Sequence, residues 1–376
     1  MFEKTKALCQ KFIDMGLPGF DLLVYKDGKP LLRHMGGYAD LEKKLPIQGN
    51  EKYHIYSCSK PITCVAAMQL WEQGKFSLED RLSDYIPEFA EMTVRTEDGI
   101  QKAKNPILIR HLFEMTAGFS YEVYAPAMQE YYEATNYRCP TLDTVRQLAK
   151  VPLLFEPGTS WKYSLCHDVI AALVEVWSGQ KFEAYVKEHI FDPLGMHDSD
   201  FLLPQEKFHT LATQYAWNAE QKKPLVKKDN WYRPGAEYAS GGAGCVSTVE
   251  DYIKFAEELR CGERLLKRET IALMATDRLT PQQTEAYTQK AIHGYGLGLR
   301  TPKKGGSRVD FGWGGAAGAF LAVDIPHGIS LYYAQHMLYS PHQPIRQQVY
   351  TTLLEELMGI ETAQEHSAST DQNLTY

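Results

Sequence analysis

The sequence has no long apolar run and no dense cluster of lysine and arginine. A membrane-spanning helix needs about 18 consecutive apolar residues, and no such run occurs among the 376 residues. With 40 basic and 47 acidic side chains, the formal net charge is -7, which disfavours nucleic acids and anionic membranes as partners. We therefore expect a globular protein that binds a small molecule, with no nucleic-acid or membrane partner. The oligomeric state is not predicted.

Cysteine is scarce, and the common cofactor motifs are missing. The seven cysteines are odd in number and form no C-x-x-C pair, so the sequence predicts neither a disulfide framework nor a zinc site. It also has no P-loop, no H-E-x-x-H and no G-x-S-x-G, and residues 294–298 do not match G-x-G-x-x-G. We expect no metal and no cofactor.

The first residues lack the apolar core of a signal peptide. Residues 1–6 are mainly polar and lead into an amphipathic helical pattern at residues 8–15. We therefore predict a cytoplasmic protein with reduced, mostly buried thiols.

Strand patterns lie near both ends of the chain, and helical patterns lie between them. Residues 20–25 and 30–34 flank an Asp-Gly turn, and residues 319–323 and 329–334 flank a second turn, so each pair predicts a β-hairpin. Helical periodicity occurs at residues 61–73, 109–115, 142–150, 167–177, 182–190, 248–259 and 344–358. The order predicts an α+β fold whose antiparallel sheet is built from both termini.

We expect residues 1–360 to form one domain with two lobes. The predicted sheet lobe comprises about residues 1–60 and 285–360, and the predicted helical lobe comprises about residues 61–284. Residues 361–376 have the composition of a polar, disordered tail.

The first chemical pattern is an S-x-x-K sequence that runs from Ser57 to Lys60. A serine and a lysine three positions apart on a forming helix share one face, so they can act as nucleophile and base. Pro61 suits the first turn of a helix, and the preceding four residues have an extended pattern. Burial would lower the pKa of Lys60 and allow it to accept a proton. The pattern also occurs by chance about once in a chain of this length.

Two further segments carry groups that acyl transfer needs. Tyr163 follows a turn and precedes a helix; beside a buried ammonium its phenolate would be favoured, and it could pass the serine proton to a leaving group. In residues 312–316, glycines allow close backbone approach, and the Ala316 N–H beside the Ser57 N–H would form an oxyanion hole. Taken alone, Tyr163 is also an ordinary core aromatic and residues 312–316 an ordinary bend.

Together the three segments resemble the class C β-lactamases and penicillin-binding-protein-like serine hydrolases, whose motifs are S-x-x-K, Y-x-N and a short (K/H/W)-(T/S/G)-G strand. Further matches in the same order occur at residues 70–80, 109–112, 155–158, 193–196, 241–244 and 247–251. The resemblance covers about residues 10–358 and implies the serine β-lactamase/transpeptidase-like fold. It implies Ser57 as the acylated nucleophile, Lys60 as its activating partner and Tyr163 as the proton shuttle. The amides of Ser57 and Ala316 would form the oxyanion hole.

The sequence departs from the family pattern in two places. Leu165 replaces the asparagine of Y-x-N, whose amide recognises the substrate and contacts the lysine. The third motif reads Trp313, Gly314 and Gly315. It therefore lacks the lysine or histidine that would face a substrate carboxylate. The W-G-G version resembles the family VIII carboxylesterases and related acyltransferases. We therefore expect these four residues to line an apolar substrate pocket.

A tyrosine-rich stretch at residues 120–137 has weak periodicity. Tyr121 and Tyr124 are our candidates for substrate contacts from a flap over the pocket. Ordinary packing of a loop over the core accounts for the stretch equally well.

The sequence therefore predicts a serine hydrolase that cleaves carboxylic esters through an acyl-Ser57 intermediate. The same intermediate would serve an acyltransferase, because acceptor fit and water exclusion decide between the two. β-Lactamase or D-amino-acid peptidase activity is disfavoured by Leu165 and Trp313. A catalytically silent binding or scaffold protein is the alternative from another class, and the joint presence of Ser57, Lys60 and Tyr163 argues against it.

Overall fold

The computed structural model describes residues 1–123, 125–227 and 235–359. The strands of these residues are β1 (Gly19–Lys26), β2 (Lys29–Asp40), β3 (Leu45–Pro46), β4 (Tyr53–His54), β5 (Thr93–Thr96), β6 (Gly99–Lys102), β7 (Tyr215–Asn218), β8 (Lys223–Val226), β9 (Val246–Ser247), β10 (Gly294–Tyr295), β11 (Arg300–Thr301), β12 (Phe320–Asp324), β13 (Ile329–Gln335) and β14 (Met337–Leu338). The α-helices are α1 (Glu3–Asp14), α2 (Ser59–Glu72), α3 (Ile109–Phe113), α4 (Pro126–Ala134), α5 (Thr141–Gln147), α6 (Cys166–Ser178), α7 (Phe182–Val186), α8 (Asp192–Leu194), α9 (Val249–Cys261), α10 (Arg268–Met274), α11 (Pro281–Ala286) and α12 (Gln348–Met358).

The largest sheet has five antiparallel strands in the order β12-β13-β1-β2-β3. Asp27 and Gly28 close the first hairpin with φ angles of 50° and 79°, the left-handed pair that a two-residue turn of type I′ requires. The second hairpin joins β12 to β13, which pairs with β1. The α+β fold and the antiparallel sheet built from both ends of the sequence are confirmed.

The two faces of this sheet are covered by different helices. Leu22 and Val24 of β1 belong to an apolar cluster with residues of α1 and α12, whereas Leu23 belongs to the main core, as the alternation of a strand requires. On that second face α9 packs against β1, β12 and β13. Thr248 caps the start of α9, because its Oγ1 accepts a hydrogen bond from the Asp251 N–H at 3.1 Å.

Helices α2 and α6 pack side by side, and α3, α5 and α7 pack against α6. Both helices are buried on nearly all sides, as expected for helices inside a core. Their N-terminal ends therefore lie in the interior, where polar groups at those ends need partners from the protein. The proposed division into a sheet lobe and a helical lobe stays a prediction, although α9, which lies in the range of the helical lobe, packs on the sheet.

Two segments differ from the sequence prediction. The tyrosine-rich stretch contains α4, a helix that its weak periodicity did not predict, and buries Met128 and Tyr132. Residues 311–314 join the sheet through isolated bridges, such as Gly314 with Phe320, rather than as a regular strand. Tyr124 and the predicted tail at residues 361–376 lie outside the described residues.

No helix of the described residues has the length and apolarity needed to cross a membrane. The cytoplasmic location stays a prediction.

A buried ion cluster supports the segment that leads to residues 311–314. The Asp310 carboxylate lies 2.6 Å from Nη1 of Arg300 and 2.7 Å from Nε of Arg308, and all three side chains are buried. Burial opposes ionisation of Asp310, but the two guanidinium groups outweigh it and hold the pKa of this carboxyl below its ordinary value. Its contribution to stability is therefore present above about pH 4 and is lost only in stronger acid.

Replacing Asp310 by asparagine is expected to lower the free energy of unfolding by about 3–5 kcal/mol, because it leaves two buried guanidinium groups without their shared carboxylate. Urea denaturation at pH 7 measures this loss. The matched control is Asp192→Asn, which removes an exposed partner of Lys187 and should cost about 0–1 kcal/mol. Equal losses in the two variants would contradict the structural role of Asp310.

Candidate active site

Ser57 lies in a strained turn between β4 and α2. The preceding residue, Tyr56, has a left-handed φ of 47°, a conformation that costs a residue with a side chain about 1–3 kcal/mol and needs support from its surroundings. Ser59 supplies part of that support, since its Oγ donates to the Tyr56 carbonyl at 2.6 Å and accepts from the Cys245 N–H at 2.9 Å. Ser57 itself is 7% exposed. The turn thus presents the hydroxyl of Ser57 in a nearly closed site.

Lys60 lies one helical turn after Ser57 and is fully buried. Its Nζ contacts three acceptors: the Gly242 carbonyl at 2.8 Å, the Tyr121 hydroxyl at 3.0 Å and Ser57 Oγ at 3.2 Å. Burial lowers the pKa of Lys60 to about 7, although the charge of Asp168 acts in the opposite direction. Near neutral pH the lysine is therefore present as both amine and ammonium.

Tyr163 contacts Ser57 through its hydroxyl group. Its hydroxyl donates to Ser57 Oγ at 2.5 Å and accepts from Trp313 Nε1 at 3.4 Å, and Lys60 Nζ lies 4.5 Å from the centre of its ring. Burial raises the pKa of Tyr163 to about 12, although hydrogen bonds to Ser57, Trp313 and Tyr121 lower it. Burial thus outweighs these hydrogen bonds, and the role of Tyr163 as proton shuttle stays a prediction. Tyr163 is a neutral phenol at physiological pH.

Tyr121 contacts the catalytic candidates directly. Besides its contact with Lys60, its hydroxyl makes a hydrogen bond with that of Tyr163. Leu165 is buried, and its N–H donates to the Ser120 carbonyl at 3.3 Å. Tyr121 thus supplies to Lys60 the polar contact that Leu165 cannot make.

The predicted third motif lies against the serine turn. The Trp313 ring stacks on Tyr163 with ring centres 5.8 Å apart. A Cβ atom on Gly315 would lie 2.3 Å from the Ile55 carbonyl oxygen, so only glycine permits this approach. Ala316 packs in one small apolar cluster with Tyr56. The structure therefore brings Ala316 next to the turn that carries Ser57, and the oxyanion hole itself stays a prediction.

One cation near this motif was missed in the sequence. The buried Arg346 donates from Nη1 to the Gly315 carbonyl at 3.2 Å, and a Cβ on Gly314 would lie 2.6 Å from Nη2. Arg346 thus supports the backbone of residues 314–315. No sequence signal indicates this role, because Arg346 lies in a segment with ordinary helical periodicity.

A buried carboxylate, Asp168, was also missed. It lies in the first turn of α6 and accepts hydrogen bonds from Ser240 Oγ at 2.6 Å and the Tyr238 hydroxyl at 2.9 Å. Gly242, whose carbonyl contacts Lys60, follows in the same loop. The glycine-rich match at residues 241–244 was the available sequence signal, but it gave no reason to connect this loop with Lys60.

Within the described parts of the chain, no group of three or more His, Cys, Asp or Glu side chains could hold a metal ion. The site instead combines a hydroxyl with an amine of lowered pKa and a neutral phenol, both within hydrogen-bond distance of that hydroxyl. This set can form a nucleophile, accept its proton and donate a proton, as acyl transfer through a covalent intermediate requires.

Comparisons with known proteins agree with this geometry. A match to the family described as Beta-lactamase spans residues 6–350. Protein Rv1367c of Mycobacterium tuberculosis is 28% identical over 364 residues, which cover 89% of this chain and 90% of that protein. Esterase EstB of Burkholderia gladioli is 30% identical over 349 residues, which cover 84% of this chain and 85% of the esterase.

Solved structures show the same fold. EstCE1, described as a hydrolase with promiscuous acyltransferase activity, superposes with a TM-score of 0.77 at 28% identity, over 93% of this chain and 98% of its own. The resemblance inferred from the three motifs is thus confirmed, and with it the prediction of an enzyme. The chain is a serine hydrolase that belongs to the Beta-lactamase family.

Proposed function

We propose that the protein cleaves small carboxylic esters through an acyl-Ser57 intermediate. The observation that carries the proposal is the contact of one hydroxyl with two proton-transfer groups, Lys60 Nζ at 3.2 Å and the Tyr163 hydroxyl at 2.5 Å. The similarity to a protein named Esterase EstB supports the choice of an ester.

Lys60 is the proposed base for acylation. A neutral amine has two N–H donors and one lone pair, whereas an ammonium has three donors. With its donors directed to the Gly242 carbonyl and the Tyr121 hydroxyl, neutral Lys60 presents its lone pair to Ser57. It accepts the Ser57 proton as Oγ bonds to the ester carbonyl carbon, and the N–H groups of Ser57 and Ala316 stabilise the resulting oxyanion.

Tyr163 is the proposed acid for the leaving group. Its neutral phenol gives a proton to the alkoxide when the ester C–O bond breaks, and the alcohol departs. Tyr121 contacts both Lys60 and Tyr163, so its hydroxyl can relay the lysine proton back to Tyr163. The product is the acyl-enzyme with neutral Lys60. In deacylation, water gives a proton to neutral Lys60 as its oxygen bonds to the acyl carbon. The bond between that carbon and Ser57 Oγ then breaks, Oγ takes a proton from Tyr163, and the carboxylic acid departs, while Tyr121 returns the lysine proton to Tyr163.

The side chains around Ser57 support an uncharged substrate. Trp313, which stacks on Tyr163, occupies the motif position of a residue that faces a substrate carboxylate in the family pattern. The buried Leu165 occupies the position of the asparagine amide. A β-lactam would lose both contacts, whereas a small ester needs neither. We therefore infer that Leu165, Trp313, Gly314 and Gly315 form part of the substrate pocket.

Acyl transfer to an alcohol or amine is the second candidate function. The observation that favours it is the burial of the site: Ser57 is 7% and Trp313 5% exposed. A site that limits water gives an organic acceptor time to react with the acyl-enzyme. The description of EstCE1 as a hydrolase with promiscuous acyltransferase activity supports the same candidate.

A comparison of ester and β-lactam substrates tests the proposed function. We expect kcat/KM for p-nitrophenyl acetate and p-nitrophenyl butyrate to exceed that for nitrocefin by about 100-fold or more, since the β-lactam lacks its two polar contacts. Benzyl alcohol added as an acceptor should yield benzyl acetate if the second candidate also holds. Nitrocefin hydrolysis as fast as ester hydrolysis would contradict the proposal.

The rate of acylation is expected to rise about tenfold per pH unit below pH 7 and to become constant above it, because neutral Lys60 must accept the Ser57 proton. Tyr163, with a pKa of about 12, should add no second change between pH 5 and pH 9. Stopped-flow release of p-nitrophenolate in the first turnover measures this rate. A constant acylation rate from pH 5 to pH 9 would exclude Lys60 as the base.

A further inference from the structure

We propose that Asp168 is a positioning residue that holds Lys60 beside Ser57 through the Gly242 loop, which we define as residues 238–245. The inference rests on the proposed function, in which Lys60 accepts the Ser57 proton. It assigns a task to a buried carboxylate that the acylation steps themselves do not use, and it connects that carboxylate with the loop that carries the Gly242 carbonyl.

The Asp168 carboxylate fixes the first half of this loop. Oδ1 accepts from the Tyr238 hydroxyl at 2.9 Å and from Ser240 Oγ at 2.6 Å. Ser240 Oγ in turn accepts from the Ala243 N–H at 3.0 Å. Because Gly242 lies between Ser240 and Ala243, these hydrogen bonds restrict the direction of the Gly242 carbonyl.

Two further hydrogen bonds connect the Gly242 loop to α2, the helix of Lys60. Thr63 Oγ1 donates to the Gly241 carbonyl at 2.7 Å, and the Cys245 N–H donates to Ser59 Oγ at 2.9 Å. Between these contacts the Gly242 carbonyl accepts from Lys60 Nζ at 2.8 Å. The loop thus connects α6 with α2, and its Gly242 carbonyl contacts the lysine amine.

The loop has no room for a side chain at its centre. A Cβ atom on Gly242 would lie 2.5 Å from Asp168 Oδ2 and 3.4 Å from Lys60 Nζ. The carboxylate and the amine therefore flank a single glycine. This close approach explains why the sequence has glycine here, and it places the negative charge of Asp168 near the lysine.

Among the described groups that face Lys60, Asp168 is the one that carries a negative charge. The other titratable groups around the amine are Cys58, Cys64, Cys166, His167, Tyr121 and Tyr163. Burial raises the pKa of the three thiols and keeps the pKa of His167 well below its ordinary value, so these groups are neutral. Burial also raises the pKa of Asp168, while Ser240, Lys60 and Tyr238 act to lower it.

The variant Asp168→Asn tests the proposal through the pH profile of acylation. Loss of the negative charge destabilises the ammonium form of Lys60, so the midpoint of the profile should move to lower pH by about one unit. The plateau rate above the midpoint should fall about tenfold, because the Gly242 carbonyl is no longer fixed. Single-turnover release of p-nitrophenolate from p-nitrophenyl acetate, from pH 5 to pH 9, measures both quantities.

The matched control is Asp251→Asn. Asp251 is also buried and anchors backbone and side-chain donors, accepting from the Asp198 N–H at 2.7 Å and from Ser199 Oγ at 3.1 Å, but it lies on α9 rather than beside Lys60. This variant should lose stability and keep the wild-type midpoint. A midpoint in Asp168→Asn equal to that of the wild type would overturn the proposal.

A second variant keeps the proposal testable if Asp168→Asn does not fold. Ser240→Ala retains the charge of Asp168 but removes its shortest hydrogen bond and the contact to Ala243, so the plateau rate should fall and the midpoint should move less than in Asp168→Asn. An unchanged plateau would overturn the positioning role. Labelling of wild-type Ser57 by a fluorophosphonate separates the positioning role of Asp168 from the proposed function. If Ser57 is not labelled, the proposed function itself is rejected.

Discussion

Replacement of Ser57 by alanine is expected to lower kcat/KM for p-nitrophenyl acetate by about 10⁴-fold or more and to abolish covalent labelling by a fluorophosphonate. Ser57 Oγ is the atom proposed to bond to the acyl carbon, and no nearby group can substitute for it in the same geometry. The loss of one oxygen should leave the fold intact. Steady-state kinetics and gel detection of the labelled protein measure the two effects.

The matched control is Ser59→Ala, in the same S-x-x-K segment. Ser59 Oγ supports the strained turn through Tyr56 and Cys245, so this variant should lose stability yet keep its labelled Ser57. Undiminished ester hydrolysis by Ser57→Ala would contradict the assignment of the nucleophile.

Replacement of Tyr163 by phenylalanine is expected to lower kcat about 10³-fold with little change in KM. The ring that stacks on Trp313 and covers Lys60 remains, and the variant loses only the hydroxyl that contacts Ser57 at 2.5 Å. General acid catalysis contributes about 10²–10⁴-fold to a rate, and the hydroxyl acts in the transition state rather than in binding. Steady-state kinetics with p-nitrophenyl butyrate checks this expectation.

Tyr295→Phe is the control for this change. The Tyr295 ring is buried against Trp313 with ring centres 5.4 Å apart. It shares its neighbours Trp161 and Trp313 with Tyr163 but has no proposed role in proton transfer. Its kcat should stay close to the wild-type value. A Tyr163→Phe variant with a kcat near that of Tyr295→Phe would show that Tyr163 has a packing role instead.

The parts of the fold that the sequence predicted are those determined by local patterns. The Asp27-Gly28 turn between two strand-like runs is sufficient to predict the first hairpin, and the long apolar patterns at residues 61–73 and 167–177 predict α2 and α6. The short strands were not predictable. β4 and β9, for example, contain two residues each and pair across nearly 200 positions, so only tertiary packing determines them.

In the candidate site, too, local spacing predicts some features and tertiary packing determines the others. Ser57 and Lys60 are one helical turn apart, so their proximity follows from spacing alone. The contacts of Lys60 with Tyr121 and Gly242 join distant segments, and no local pattern predicts them. The effect of burial on the pKa of Tyr163 was not predictable either, because a motif shows the neighbouring lysine, whereas the burial that raises the pKa of the phenol depends on the whole core.

These contacts also give a physical reason for the unusual second motif. Leu165 cannot contact Lys60, but Tyr121 occupies one donor of the amine and the Gly242 carbonyl occupies another. The lysine therefore keeps a fixed orientation without the amide of the family pattern. We infer that the change from asparagine to leucine alters substrate recognition and leaves the activation of Ser57 in place.

The most direct test of the acyl-Ser57 intermediate is mass spectrometry of the protein quenched in acid during turnover of p-nitrophenyl butyrate, followed by peptide mapping. The acyl-Ser57 intermediate predicts one butyryl group per wild-type chain, on the peptide that contains Ser57, and none on Ser57→Ala, whereas incubation of the wild type with nitrocefin should leave no adduct derived from the β-lactam on that peptide. A butyryl group on another residue, or rapid turnover by Ser57→Ala, would contradict it.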